Sequence, residues 1–160
     1  GSKETLVTLK NSPKDYSSLR NSVIPNLLKI LAQNQHNDYP QFLYEFGKVF
    51  KIDRNDELGV QEKDTLTIAL CSDNSDFTSI KRVIDTLCRL LGINSAVSEH
   101  KASAFIPGRC ASASSGKAHF AVFGEIKPQV LLNWNLVMPV AAAEIDVQSL
   151  MELAKNRTSQ

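Results

Sequence analysis

The chain has 160 residues, 42% of them hydrophobic and 22% charged, with a formal net charge of +1. A chain of that length can bury roughly 70% of its unfolded surface, so no metal or disulfide staple is required, and its near-neutral charge excludes a global field for gripping a polyanion, leaving only a local basic patch open. No apolar stretch reaches the ~20 residues of a membrane span and no signal-peptide pattern opens the chain, so a cytoplasmic protein is expected.

Gly1-Ser2 is expected to be a cloning scar, residues 3–155 a single module and residues 156–160 a flexible tail. "ETLVTLK" (Glu4 to Lys10) alternates as a strand. A turn cluster with possible caps at Asp15 and Ser17 follows. In "LRNSVIPNLLKILAQN", Leu19, Val23 and Leu27 recur at i, i+4, with Ile24, Leu28 and Leu31 beside them, a broad apolar stripe on a helical period. Pro25 suits a helix start rather than a helix interior.

"QFLYEFGKVFKI" (Gln41 to Ile52) is aromatic and β-branched, a strand with Phe42, Tyr44 and Phe46 on one face. The apolar set changes phase to Val49 after Gly47, with Phe50 on the other side, so a bulge is expected at Gly47. "RNDELGVQEKD" reads as a polar loop and "TLTIALC" (Thr65 to Cys71) as a buried strand. "DFTSIKRVIDTLCRLLGI" is the clearest helix: Asp76 caps it, Phe77, Ile80, Ile84, Leu87 and Leu91 form its apolar stripe, and Gly92 ends it.

"RCASAS" and "AHFAVFGEI" are strand-like runs around Ser115-Gly116-Lys117, which predicts a hairpin. The alternative for "FIPGRCASASSGKAHFAVFGEIKP" is a phosphate cradle, but such a loop needs a helix whose N-terminal amides face the anion, and no helical pattern follows Gly116. Pro128 opens a short helix, "PQVLLNW"; "VAAAEIDV" (Val140 to Val147) reads as a strand, and Asp146 as the cap of a last helix, "VQSLMELAK". The order predicts an α+β fold, a mostly antiparallel sheet with helices packed on one side.

Residues with chemical potential are few. His36, His100 and His119 show no HxxxH spacing, so no metal site is expected. Cys71, Cys88 and Cys110 are odd in number and sit in apolar settings, as reduced core thiols do. No G-x-S-x-G elbow occurs, and no two of the seven glycines stand two apart, which excludes G-x-G-x-x-G. Glu125 and Glu144 are either paired carboxylates or, the favoured reading, strand carboxylates satisfied by lysine or arginine. Arg109 is read as an anchor of the Pro107-Gly108 turn before an anion ligand, and Trp134 as core before a base-stacking platform.

Together, "LRNSVIPNLLKILAQN", "YPQFLYEFGKVF", "FIPGRCA" and "FGEIKPQVLLNWNLVMPVAAAEID" resemble the C-terminal region of the phenylalanine–tRNA ligase β subunit, from about Val7 to about Leu150. Their order carries the resemblance more than any single motif such as P-G-R-x-A. "SEHKASAFIPGRCA" brings it nearest the archaeal and eukaryotic type. The resemblance implies a module shaped like a class II aminoacyl-tRNA synthetase catalytic domain, an antiparallel sheet flanked by helices, with catalysis and the ATP and Mg that serve it residing in the α subunit. Class II sites use F-R-x-E, and none of Arg20, Arg54, Arg82, Arg89, Arg109 or Arg157 is followed two places on by glutamate. The chain itself is therefore expected to be inactive, with no catalytic, cofactor or metal residue. The dimerisation element of that class, a helix followed by a long strand, resembles "NSVIPNLLKILAQN" with "FLYEFGKVF", which makes Val23, Leu27, Leu28, Leu31, Phe42, Tyr44, Phe46 and Phe50 candidates for a surface facing α. tRNA would then be met indirectly, through the complex. Two alternatives stay open: a tRNA-binding module using Lys81, Arg82 and Arg89, and an independent small-molecule or ATP-binding domain.

Overall fold

A computed structural model describes residues 7–8, 18–52 and 59–158. In chain order the elements are β1 (Val7–Thr8), β2 (Ser18–Leu19), α1 (Ile24–Gln33), β3 (Gln41–Ile52), β4 (Val60–Cys71), α2 (Phe77–Leu91), β5 (Ala96–Glu99), β6 (Phe105–Ser115), β7 (Ala118–Ile126), α3 (Pro128–Asn133), β8 (Val140–Asp146) and α4 (Val147–Thr158). Strands β1 and β2 form a small antiparallel pair, and the other six make one sheet in the order β3-β4-β8-β7-β6-β5, antiparallel throughout. Asp15 and Ser17, the expected first caps, lie outside the described residues. α4 runs to Thr158, into the stretch expected to be a tail.

Helices cover both faces of the sheet, not one. On the first face, Ile24, Leu27, Leu28 and Leu31 of α1 and Leu131 of α3 pack on Ala69, Cys71, Val140 and Ala142. On the second, Ile80, Ile84 and Cys88 of α2 and Leu150 of α4 pack on Leu70, Phe120, Phe123, Ala141, Ala143 and Ile145. The physical reason lies in β8: successive side chains of a strand point to opposite faces, and Val140 through Ala143 are all buried. Alanine on alternate sides lets a helix approach from each.

The hairpin expected at Ser115 to Lys117 is present. Ser115 pairs with Ala118 across a turn whose Gly116 has φ +58°, a conformation glycine reaches without steric cost. Two expectations fail. The β3–β4 register is unbroken from Gln41↔Cys71 to Ile52↔Val60, so Gly47 forms no bulge. A Cβ there would instead collide with the Arg20 guanidinium, which bonds Glu45 Oε1 and the Lys48 carbonyl, both at 2.8 Å. The expected loop at Arg54 to Asp64 ends early, because β4 starts at Val60 and pairs with the far end of β3. The irregularities sit in β6–β7 instead, between Phe105 and Cys110 and between Ala113 and Ser114.

Three carboxylates on the inner strands hold helix starts. The Phe77 N–H, at the start of α2, donates to Glu125 Oε1 at 2.9 Å, and Arg109 Nη1 donates to Glu125 Oε2 at 2.7 Å. The Val23 N–H and Ser22 Oγ, at the start of α1, donate to Glu144 Oε1 at 2.8 and 2.7 Å. The Ser149 N–H of α4 donates to Asp146 Oδ1 at 3.0 Å, and Lys63 Nζ to Oδ2 at 2.9 Å. First-turn amides lack partners within their helix and form its positive end, so a carboxylate satisfies both needs. Glu125 pairs with Ala141 and Glu144 with Val122 in the ladders, which sets the two glutamates on opposite faces. They are not an acid pair. Arginine satisfies Glu125 as expected, whereas a serine and a backbone amide satisfy Glu144.

Burial alone would raise the Asp146 carboxyl, but the Ser149 amide and Lys63 together hold it below the usual aspartate value. A depressed native pKa contributes stability above the unfolded-state value, near 3.9, that is lost as pH falls through the native one. Asp146→Ala should destabilise by about 1 kcal/mol at neutral pH, the usual cost of losing an N-terminal cap. Asp146→Asn should cost less, since asparagine still caps. Urea midpoints of wild type and Asp146→Asn should differ by a constant amount from about pH 5 to 8 and converge below about pH 4. A gap that persists at low pH would contradict the assignment.

Candidate functional site

Val23, Leu27, Leu28 and Leu31 are 0%, 2%, 1% and 0% exposed. They seat α1 on the sheet and offer no surface to another chain, which corrects the expectation that this stripe faces a partner. Both halves of the stripe are consumed internally, because α1 packs on the sheet with α3 beside it in the same core. The strand differs. Phe42, Tyr44 and Phe46 are 65%, 79% and 60% exposed. Their cross-strand partners are Leu70, Ile68 and Leu66, which belong to the core beneath α2 and α4. The apolar face of the sheet thus continues past its helices onto the edge strand, as a ladder of three rings spaced ~6.6 Å apart along the strand. Rings at alternate positions form one contiguous apolar patch, the kind of surface that marks an interaction site. Phe50 is half-buried and lines a cavity instead.

Arg109 is exposed and committed to Glu125, whose side chain is only 13% exposed. Arginine thereby tethers β6 to β7 next to the Pro107-Gly108 turn, where Gly108 has φ +77°. Gly124 permits that approach: a Cβ there would meet the Arg109 carbonyl oxygen and lie 2.9 Å from Cys110 Cα. Trp134 is half-buried against the α1/α3 core. All three cysteines are free and buried, and burial pushes the Cys71 thiol up to about 11, far from a reactive thiolate. On α2, Lys81 is held by Asp85 at 2.6 Å while Arg82 and Arg89 stand exposed.

Sequence reasoning missed a cavity of about 650 Å³ on the α1/α3 face, among the start of α1, the end of β3, the Ala102–Phe105 segment and α3. A second cavity, about 290 Å³, shares Asn21, Lys51, Val122 and Glu144 with it. The one local signal was Glu144-x-Asp146 closing an otherwise apolar strand. The cavities hold two lysines, Lys51 and Lys63, beside Glu144 and Asp146, and Lys63 is already paired with Asp146. Such a balanced set does not fit a nucleotide triphosphate and its Mg, which need several uncommitted cations or oriented amides. Among the described residues no group of three or more His, Cys, Asp or Glu is placed to hold a metal ion, and no helix is long and apolar enough to cross a membrane.

The fold has known counterparts. Pyrrolysyl-tRNA synthetase from Desulfitobacterium hafniense superposes with a TM-score of 0.73 over 94% of this chain and 53% of that one, at 13% identity, a likeness of fold alone. The antiparallel sheet with flanking helices is thus that of class II-type synthetase domains, as expected. In sequence, the phenylalanine–tRNA ligase beta subunit of Methanocella arvoryzae is 36% identical over 151 residues, covering 91% of this chain and 27% of that one. That of Thermococcus kodakarensis is 41% identical over 142 residues, covering 88% and 25%. The chain therefore spans about a quarter of the length of these relatives. The family model described as phenylalanyl tRNA synthetase beta chain CLM domain matches residues 1–147, and with these relatives it shows that the chain belongs to that family.

Proposed function

We propose that this chain is a non-catalytic structural module, C-terminal in a β subunit of the archaeal or eukaryotic type, that packs against the catalytic α subunit of phenylalanine–tRNA ligase and so supports aminoacylation of tRNA. ATP and Mg serve the α subunit, and tRNA is met through the complex. The observation that carries this reading is the exposed ladder of Phe42, Tyr44 and Phe46 on the sheet's edge strand. Fully burying a large apolar side chain contributes roughly 1.5–3 kcal/mol, so three such rings left in water favour a covering partner. Aromatic residues, tyrosine among them, are enriched where interfaces carry their energy. The charge pattern of α2, cations interleaved with Asp85, favours a solvated face over an RNA-binding one.

The double variant Tyr44→Thr with Phe46→Thr keeps strand propensity and removes two rings. It should retain the wild-type melting midpoint within about 4 °C, roughly a 1 kcal/mol change at this chain length. Its affinity for α should fall at least tenfold, about 1.4 kcal/mol or more. Leu28→Asp should unfold the chain instead. Undiminished co-purification of the double variant with α would place the interface elsewhere.

The non-catalytic reading rests on the missing R-x-E and G-x-G elements and the balanced charges of the cavities. Without fixed cations there is little to stabilise charge at the reacting phosphorus. Purified chain, free of host enzyme, should give no ATP–pyrophosphate exchange with phenylalanine, and measurable exchange would refute the reading. We read Arg109 as a structural anchor through Glu125. Arg109→Ala should lower the melting midpoint and leave affinity for α unchanged in the folded protein. A loss of α binding with an unaltered midpoint would instead make Arg109 a contact residue.

A further inference from the structure

We propose that, without a covering α subunit, the chain pairs with a second copy of itself along the outer edge of β3, the two strands antiparallel about a two-fold axis at Tyr44. The two edges of the sheet are unequal. β5 is four residues long and carries Glu99, the short, charged kind of edge by which sheets avoid pairing. β3 is twelve residues long, and its outward backbone groups belong to the residues that carry the exposed rings. The Phe50 N–H and the Lys48 carbonyl point away from β4, because Arg20 meets both. Backbone groups alternate between the two edges of an antiparallel strand, so the N–H and C=O of Phe42, Tyr44 and Phe46 point outward too. Among the described residues no hydrogen bond meets them from outside.

Two features select the register. Arg20 already occupies the Lys48 carbonyl, which blocks registers that slide the copy toward Ile52. Pro40 has no N–H, which deprives registers that slide it the other way of a donor. With Tyr44 opposite the copy's Tyr44, Phe42 opposes Phe46 on each side, and every pair exchanges both of its bonds. The occupied Lys48 carbonyl then lies opposite Pro40, which has no proton to offer it. An axis normal to the sheet keeps like faces together, so the rings of both copies lie side by side on one continuous face. Such a contact is isologous, each patch its own complement. The rings are 65%, 79% and 60% exposed. At about 150–250 Å² for a buried aromatic they offer roughly 400 Å² per copy, about half of what a standard interface takes from each partner. The dimer is therefore weak and dissociates on dilution. It concerns the chain alone and does not rest on the reading of α, which takes no part in its test.

The test is sedimentation of the whole 160-residue chain. From about 5 to about 500 μM it should show monomer and dimer in reversible exchange, with dimer dominant at the top of that range. Tyr44→Lys and Tyr44→Glu, at an exposed position, should each keep the fold and stay monomeric, because like charges then meet at the axis. Mixed in equal amounts, the two variants should associate at least tenfold more tightly than either alone. Opposite residues of a bonded pair lie about 5.5 Å apart at Cα, within disulfide reach. Tyr44→Cys should therefore give a disulfide-linked dimer on air oxidation, and Val97→Cys on β5 should not. Should the charged variants fail to fold, this cysteine comparison still decides. A wild type that stays monomeric throughout, dimerisation indifferent to Tyr44→Lys, a mixture no tighter than its components, or Val97→Cys linking as readily as Tyr44→Cys would each overturn the proposal.

Discussion

Carboxylates rising from the two inner strands hold the starts of three helices, and the layered architecture depends on that contact. Glu125 receives α2, Glu144 receives α1 and Asp146 receives α4. Each is a hydrogen bond from a backbone amide to a charged acceptor, worth about 1.5–3 kcal/mol in favourable cases, placed at the positive end of a helix. The apolar stripes would seat these helices at a range of rotations and offsets, because hydrophobic burial is non-directional. The carboxylates select one position. Arg109 and Lys63 then balance two of the three charges. Acidic residues on central strands invite a catalytic reading, yet here their lone pairs are largely engaged in assembly.

Burial on both faces leaves one strand exceptional. The helices of the second face cover β4, β8 and β7, and the apolar surface does not stop where they do. Leu66, Ile68 and Leu70 lie beneath the helices while their partners Phe46, Tyr44 and Phe42 face water. Among the described residues, hydrogen bonds meet the outer edge of β3 near its far end, where the Phe50 N–H donates to the Arg20 carbonyl at 2.9 Å and Arg20 bonds the Lys48 carbonyl. A strand of this kind, apolar on a face and, among the described residues, largely unpaired at its edge, is what natural sheets otherwise avoid.

Elements were legible in the sequence where local chemistry specifies them. Asp76 accepts the Ser79 amide at 2.7 Å and Gly92 adopts φ +63°, so both ends of α2 were written in single residues. The β6–β7 hairpin and the cap at Asp146 were legible for the same reason. What covers an apolar stripe was not. The spacing of Leu27, Leu28 and Leu31 is identical whether the cover is this chain or another, and only the packed structure assigns it to the chain's own core. The glycine in β3 suggested a bulge because glycine weakens strands, whereas its use here is room for Arg20, which comes from 27 residues earlier in the chain. Val60 to Asp64 escaped notice as a strand because that end of the hairpin is polar, so no alternation survives to be read. The cavity was invisible for a deeper reason. Its wall comes from α1, β3, the segment before β6, β7, α3 and β8, and no local pattern encodes such a junction.

The edge strand ties the surface and the cavity together. Phe42, Tyr44 and Phe46 occupy one face of β3, and Val49 and Lys51, at odd positions, occupy the other. A twelve-residue strand in unbroken register with β4 carries both sets of side chains. The fold alone implies neither site, since one architecture hosts many functions. Their common dependence on a single strand follows from the alternation of side chains across it.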